Sequence, residues 1–282
     1  MDFNNNPNYG KSYVIKPQKG LIKFDFAEIW RFRELFYIFI WRDIKVRYKQ
    51  TAIGVLWAIL QPLFTMIIFT VFFGRLAKIP SDNVPYSIFV FTGLIFWNYF
   101  SLTLANVSSV LVEYESIIKK IYFPRLILPL SSVFTPIVDF FIALIVLIAL
   151  MLYYHYPPTF VGIILVPFLV LISAFSVVGL GLFLASVNVK YRDVRYVVPF
   201  FIQLMLFLTP VIYPVSIIPS KFQWLVFLNP IAGVITLARS SMLHTALVDW
   251  RLLALSFGIS LILLMFGLYY FRKTERFFAD IL

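Results

Sequence analysis

The sequence predicts an all-α integral membrane protein. Of its 282 residues, 61% are hydrophobic and only 13% charged, and the mean hydropathy is +0.91. Several uncharged stretches of about 20 residues match the length needed to cross ~30 Å of hydrocarbon. No segment sustains the alternation of a membrane strand. An ordinary soluble enzyme, a disordered tail and a disulfide scaffold are excluded: soluble domains carry about 25% charge, and this chain has no cysteine. The missing thiols also remove thiolate metal sites and cysteine nucleophiles.

Taken in chain order, residues 1–28 read as an N-terminal tail. Its start, MDFNNNPNYG, lacks the basic-then-apolar pattern of a cleavable signal, so the first span is expected to direct insertion. Residues 29–50 read as an amphipathic helix in the membrane plane, with Ile29, Phe32, Phe36 and Phe39 at helical spacing. Residues 51–282 read as one domain of six spans, at 53–73, 86–107, 126–154, 160–187, 197–219 and 252–271. Pro62, Pro199, Pro210 and Pro214 mark where these helices kink or break. A further apolar stretch, 223–238, is short and interrupted by Asn229-Pro230 and Gly233. It is expected to be a re-entrant or interfacial helix pair rather than a span.

Basic residues set the orientation. Nineteen Lys and Arg precede the first span, follow the sixth, or lie between spans 2 and 3 and spans 4 and 5, against five on the opposite side. Both termini are therefore expected in the cytoplasm. The net charge of +11 points to anionic headgroups rather than nucleic acid, since no basic soluble domain exists to hold a nucleic acid. Residues 110–122, VLVEYESIIKKIY, place Val110, Tyr114, Ile117, Ile118 and Ile121 on one helical face. The other face carries Glu113, Glu115, Lys119 and Lys120. Two readings stand, an interfacial helix on the inner leaflet and a docking helix for a cytoplasmic partner; adhesion to anionic lipid would favour bases alone, so the mixed face tilts toward the second.

Groups for catalysis are sparse. Gly10-Lys11-Ser12 resembles the end of a phosphate loop, but Asn5 stands where the motif needs glycine. His155 and His244 have no ligand partners at metal spacing. Arg239, His244, Asp249 and Arg251 are the only candidates for an external catalytic cluster. Asp139 is the one acid deep in a span. It reads first as a structural, hydrogen-bonded acid; path lining and proton coupling are the alternatives. Trp57, Phe64, Phe91, Phe96 and Trp97 lie inside spans, where flat rings could line a path for a sugar.

Four strings carry a resemblance: WRDIKVRYKQTAIGVLWAILQPL (41–63), YESIIKKIYFPRLILPLSSV (114–133), NVKYRDVRYVVPF (188–200) and LNPIAGVITLAR (228–239). Together they resemble the membrane permease subunit of bacterial polysaccharide ABC exporters, of the type-2 class, which move O-antigen, capsule or teichoic-acid chains across the inner membrane. The resemblance implies a homodimeric channel for a lipid-linked polysaccharide. It also implies two separate ATPase subunits that hold the ATP and magnesium, with no cofactor in this chain. It further implies that Glu113, Tyr114, Glu115, Lys119, Lys120 and Tyr122 dock on the ATPase, with Arg192 and Asp193 beside them. Trp224, Asn229 and Pro230 would belong to an external gate. The rival readings are a permease exporting drugs or small lipids, a proton-driven carrier, and a membrane enzyme acting on lipid-linked sugars.

Overall fold

The computed structural model describes residues 26–49, 54–243 and 247–278. The tail up to residue 25, with Gly10-Lys11-Ser12, and His244 lie outside them. The chain is an all-α membrane protein, with no strand among the described residues. Two peripheral helices come first, α1 (Phe26–Arg31) and α2 (Arg33–Lys49). Then α3 (Val55–Phe69) runs into a π-helical turn (Thr70–Leu76) and is followed by α4 (Tyr86–Glu113). Two short helices, α5 (Glu115–Ile118) and α6 (Ile127–Ser131), lead to α7 (Phe134–Tyr153) and α8 (Phe160–Lys190). The rest comprises α9 (Val194–Leu208), α10 (Ser220–Phe227), α11 (Pro230–Leu243) and α12 (Trp250–Glu275).

Among the described residues, five segments are long and apolar enough to span: Val55–Leu76, Tyr86–Glu113, Ile127–Tyr153, Phe160–Lys190 and Trp250–Glu275. The expected span at 197–219 is instead the 15-residue α9, about 22 Å long. Thr209 turns extended, and Pro210 and Pro214 prevent the helix from resuming. Pro62 and Pro199, by contrast, are accommodated inside α3 and α9. The stretch at 223–238 is a helix pair bent by 110°, and the bend falls at Asn229-Pro230.

The expected separate helix at 110–122 also differs. Its first part is the end of α4, and after a kink at Tyr114 only the single turn of α5 remains. With 28 residues, α4 is about 42 Å long. It outruns the hydrocarbon, so the charges at its end stand clear of it. The peripheral α2 is not simply amphipathic. Phe39 is buried, but Tyr37, Ile38 and Trp41 are exposed, so apolar side chains occupy both faces.

The core is built around α4, whose apolar window is 78% buried against 11% for α3. The α8–α12 crossing brings backbone against backbone. A Cβ on Gly267 would lie 2.0 Å from the Gly179 carbonyl oxygen. Between spans there is little hydrophobic driving force, so close approach and polar links hold helices together. The hydroxyls of Ser176 and Ser260 are 2.7 Å apart on the same crossing. Asn188 Nδ2 donates to the Ser108 carbonyl at 2.9 Å, tying α8 to α4.

At the other end of α4, Arg239 on α11 is 5% exposed and holds the break after α9. Its Nε donates to the Phe89 carbonyl at 3.1 Å. Nη1 donates to Pro210 at 2.6 Å and Nη2 to Val211 at 2.6 Å. The guanidinium lies 3.6 Å from the Phe89 ring centroid. Carbonyls of a broken segment have no helical donor, and Arg239 supplies the donors that water would supply elsewhere.

Two substitutions test this packing. Arg239→Met keeps bulk but strips donors from three buried carbonyls, at about 1–3 kcal/mol each; its unfolding midpoint in detergent should fall well below that of the parent, and an unchanged midpoint would contradict the clamp. Gly267→Ala should destabilise by about 1–3 kcal/mol through overpacking. On the same helix, Gly258→Ala, where a Cβ meets nothing within 4 Å, should be neutral or stabilising by up to about 1 kcal/mol. Equal responses would contradict the close crossing.

Candidate functional site: a polar groove beneath the peripheral helix

The walls of α2, α3, α4 and α7 enclose a cavity of about 850 Å³. A narrower pocket of about 80 Å³ adjoins it and reaches Asp139. Both are lined by Arg47, Ala58, Gln61 and Leu102. The sharp entry into α3 at the mouth is made by Gly54 at φ 52°, a region favouring glycine. Trp57 lines the wider cavity, and so do Asp43 and Glu113.

Asp139 is the sixth residue of α7, about 8 Å from its start, and not isolated at mid-membrane. A basic partner unforeseen in the sequence comes from α2. Arg47 Nη2 lies 2.6 Å from Asp139 Oδ2, and the Tyr48 hydroxyl donates to Oδ1. Burial, with the adjacent carboxylate, pushes the Tyr48 hydroxyl well above its ordinary pKa. A buried carboxylate is tolerable when paired and hydrogen-bonded in this way.

One turn earlier on α2, Asp43 meets the end of α4. The Tyr114 hydroxyl donates to Asp43 Oδ1 at 3.1 Å, and Arg42 Nη2 pairs with the same oxygen at 2.7 Å. The Arg42 guanidinium also lies 4.4 Å from the Tyr114 ring centroid. Burial raises the Asp43 pKa, and Arg42 opposes the shift. Thus α2 is bonded at one place to the kink between α4 and α5 and at another to α7.

Beyond the kink the charged side chains face outward. Glu113, Lys119 and Lys120 are exposed, and Tyr122 is 81% exposed. Lys119 Nζ pairs with Glu115 at 2.6 Å, which holds the Glu115 carboxyl below its ordinary range; the charge of Arg192 acts in the same direction. Arg192 therefore lies near this surface, and Asp193 next to it in the chain is exposed. Ile121, placed by periodicity on the apolar face, is 61% exposed because the helix has ended before it.

Trp57 and Phe64 are half exposed, whereas Phe91, Phe96 and Trp97 are buried at 0%, 0% and 4%. Phe96 packs edge-on against Phe140 at 5.0 Å. These three rings form the core of the protomer and present no surface to a path. At the bent pair, Asn229 is a joint: its Oδ1 accepts from Ile231 N at 3.1 Å, and Nδ2 donates to Thr209 Oγ1 at 2.9 Å. Pro230 opens α11, where its missing N–H costs nothing, and Trp224 is exposed.

Two of the residues considered for catalysis serve the fold instead. Arg239 is spent on backbone carbonyls, and Asp249 caps α12 by accepting from Arg251 N and Leu252 N. Sequence reasoning passed over Arg47, Tyr48 and Gln61; their signal was weak, Arg47 and Tyr48 being polar residues at the margin of an apolar run and Gln61 a single neutral amide inside one.

Among known proteins the chain has clear relatives. It is 30% identical over 241 residues to an O-antigen export system permease protein RfbA of Klebsiella pneumoniae, covering 86% of this chain and 92% of the relative. It is 29% identical over 255 residues to the protein of that name from Myxococcus xanthus, covering 90% and 97%. It is 24% identical over 241 residues to the polysialic acid transport protein KpsM of Escherichia coli, covering 83% and 91%. The ABC-2 type transporter family matches residues 34–243, a region that contains the groove, the kink after α4 and the bent pair, and the chain belongs to that family.

Proposed function

We propose that this chain is the membrane subunit of an ATP-driven exporter that moves a lipid-linked polysaccharide from the cytoplasmic side of the bacterial inner membrane. Separate ATPase subunits supply the energy, and two copies of the chain form the path. The relatives named for O-antigen and polysialic acid transport support the substrate class. The exposed outer face of α3, with Phe64 and Ile68, and Phe72 in the π-helical turn that follows, supports pairing of two copies and offers aromatic rings to a path between them. Phe91, Phe96 and Trp97 then back that wall rather than touch cargo.

The observation that carries the mechanism is the bonded route from the α4–α5 kink into the membrane. A partner gripping Glu113, Lys119 and Lys120 moves Tyr114. Tyr114 is hydrogen-bonded to Asp43, and α2 carries the displacement to Asp139 through Arg47. The charge excess on the loops at this end supports a cytoplasmic location for it. The 110° pair then lies at the opposite surface, where Trp224, Asn229 and Pro230 form the exit gate. The direct test is deletion of the gene with a glycan blot: lipid-linked polymer should accumulate inside the cell, and unaltered surface glycan would refute the reading.

Charge reversal at Glu113→Lys together with Lys120→Glu should uncouple ATP hydrolysis from export while leaving membrane insertion intact. Normal export by this double variant would remove the docking assignment. The Asp139–Arg47 pair should show a coupling of about 1–2 kcal/mol in a double-mutant cycle of Asp139→Asn and Arg47→Gln, read as thermal stability in nanodiscs. Additive single effects would show that the pair does not link α2 to α7.

A further inference from the structure

The groove contains more hydrogen-bonding capacity than the protein uses. The side-chain amides of Gln61, Asn98 and Asn106 line it, yet none bonds a described residue; their only polar contacts are through backbone carbonyls. Thr135, 5% exposed, lines the same cavity, and its Oγ1 has no partner among the described residues. Gln61 is exposed and Asn98 and Asn106 are half-buried, so each amide offers two donors and an acceptor to whatever fills the groove. Three amides within two adjoining spans are therefore matched to a ligand that carries many donors and acceptors.

The charges identify which kind of ligand. Two carboxylates of the groove, Asp43 and Asp139, are paired with the guanidiniums of Arg42 and Arg47, so both signs are committed. A phosphate site needs uncommitted cations or backbone donors, and the described lining offers an anionic headgroup no uncommitted guanidinium. Neutral amides, the Thr135 hydroxyl and the ring of Trp57 together suit neutral sugar rings, whose hydroxyls both donate and accept and whose CH faces stack on aromatics.

We propose that the groove between α2, α3, α4 and α7 is a saccharide subsite within each protomer. It takes sugar rings of the exported glycan through Gln61, Asn98 and Asn106 and excludes the diphosphate end. This rests on the exporter reading and adds to it a location inside one chain, apart from any path between two copies. The subsite opens or closes with α2, since Arg47 is both a wall of the groove and the partner of Asp139.

The absence of cysteine permits a single-thiol test. Leu102→Cys places a reporter at the junction of the two cavities, and Leu247→Cys, at a side chain 94% exposed in the segment before α12, serves as control. Each variant, assembled with its ATPase in nanodiscs, is modified with a maleimide. The probes are the host glycan freed of lipid and phosphate by mild acid, and inorganic pyrophosphate. At a glycan concentration about ten times Kd, modification of the Leu102→Cys reporter should slow about tenfold, because only the empty fraction reacts. The control should be unaffected, and pyrophosphate should protect neither. Adding Gln61→Leu and Asn106→Leu should restore the unprotected rate while ATPase association is kept.

Protection by pyrophosphate, protection that survives removal of the amides, or no protection by glycan would each overturn the subsite. Surface glycan is measured in the same strain with and without the parental chain. If export depends on the chain while the reporter is unprotected, the subsite fails and the exporter reading stands. If export does not depend on the chain, the exporter reading itself fails.

Discussion

In hydrocarbon there is no water to satisfy a backbone carbonyl, so every departure from helix must be supplied with donors by the protein. That constraint organises this fold, and Arg239 is where it is met most visibly. The chain breaks after α9 because Pro210 and Pro214 cannot continue a helix. The freed carbonyls at Pro210 and Val211 converge on one guanidinium, which also takes the Phe89 carbonyl near the start of α4. One side chain on α11 thereby fixes the break, the post at the centre of the bundle and the bent pair relative to each other. A lysine could not do the same: its ammonium is compact, whereas the planar fork reaches several acceptors at once.

The same constraint operates at the opposite end of the bundle, where the groups to be satisfied are charged side chains. Asp139 would be costly alone on α7. The peripheral α2 answers it with Arg47 and Tyr48, and one turn earlier uses Asp43 and Arg42 to hold Tyr114. Two electrostatic needs, four residues apart on one helix, fasten α2 to two separate elements. Neither pair is fully sheltered, since Arg47 is 34% exposed at its side chain, so each is strong enough to place α2 but weak enough to exchange.

Five of the six expected spans were legible because length and apolarity are local properties, and so was the bent pair, because Asn-Pro announces its own break. The limits have physical causes. Hydropathy ends the second span at 107, but a helix need not stop where its apolar run does, and α4 continues to Glu113. Phe91 and Phe96 were indistinguishable from Trp57 and Phe64 because a ring has the same hydropathy in a core, in lipid or in a channel; only burial separates them. Asp139 was visible as an anomaly, but its partner lies 92 positions earlier at the margin of another apolar run, and nothing local couples the two. Arg239 was misjudged for a related reason: sequence counts its charge, whereas its role is to donate to carbonyls, which every residue possesses and none advertises.

The difference in burial between the elements meeting at Tyr114 decides which of them responds to a push there. The α4 helix contributes 19 buried residues, running from Ser87 to Leu111; moving it would expose much of the core. The only buried residue of α2 is Phe39. Displacing a helix costs roughly the apolar contact it gives up, about 25 cal/mol per Å², so α2 yields long before α4 does. A displacement at the kink is therefore converted into a shift of α2 over a fixed α4. The groove has α2 as one wall and α4 as another, so its width becomes the coordinate on which such a displacement acts. The rigid post and the loosely held lever are complementary requirements: without the first, a push would spread through the bundle, and without the second it would be resisted altogether.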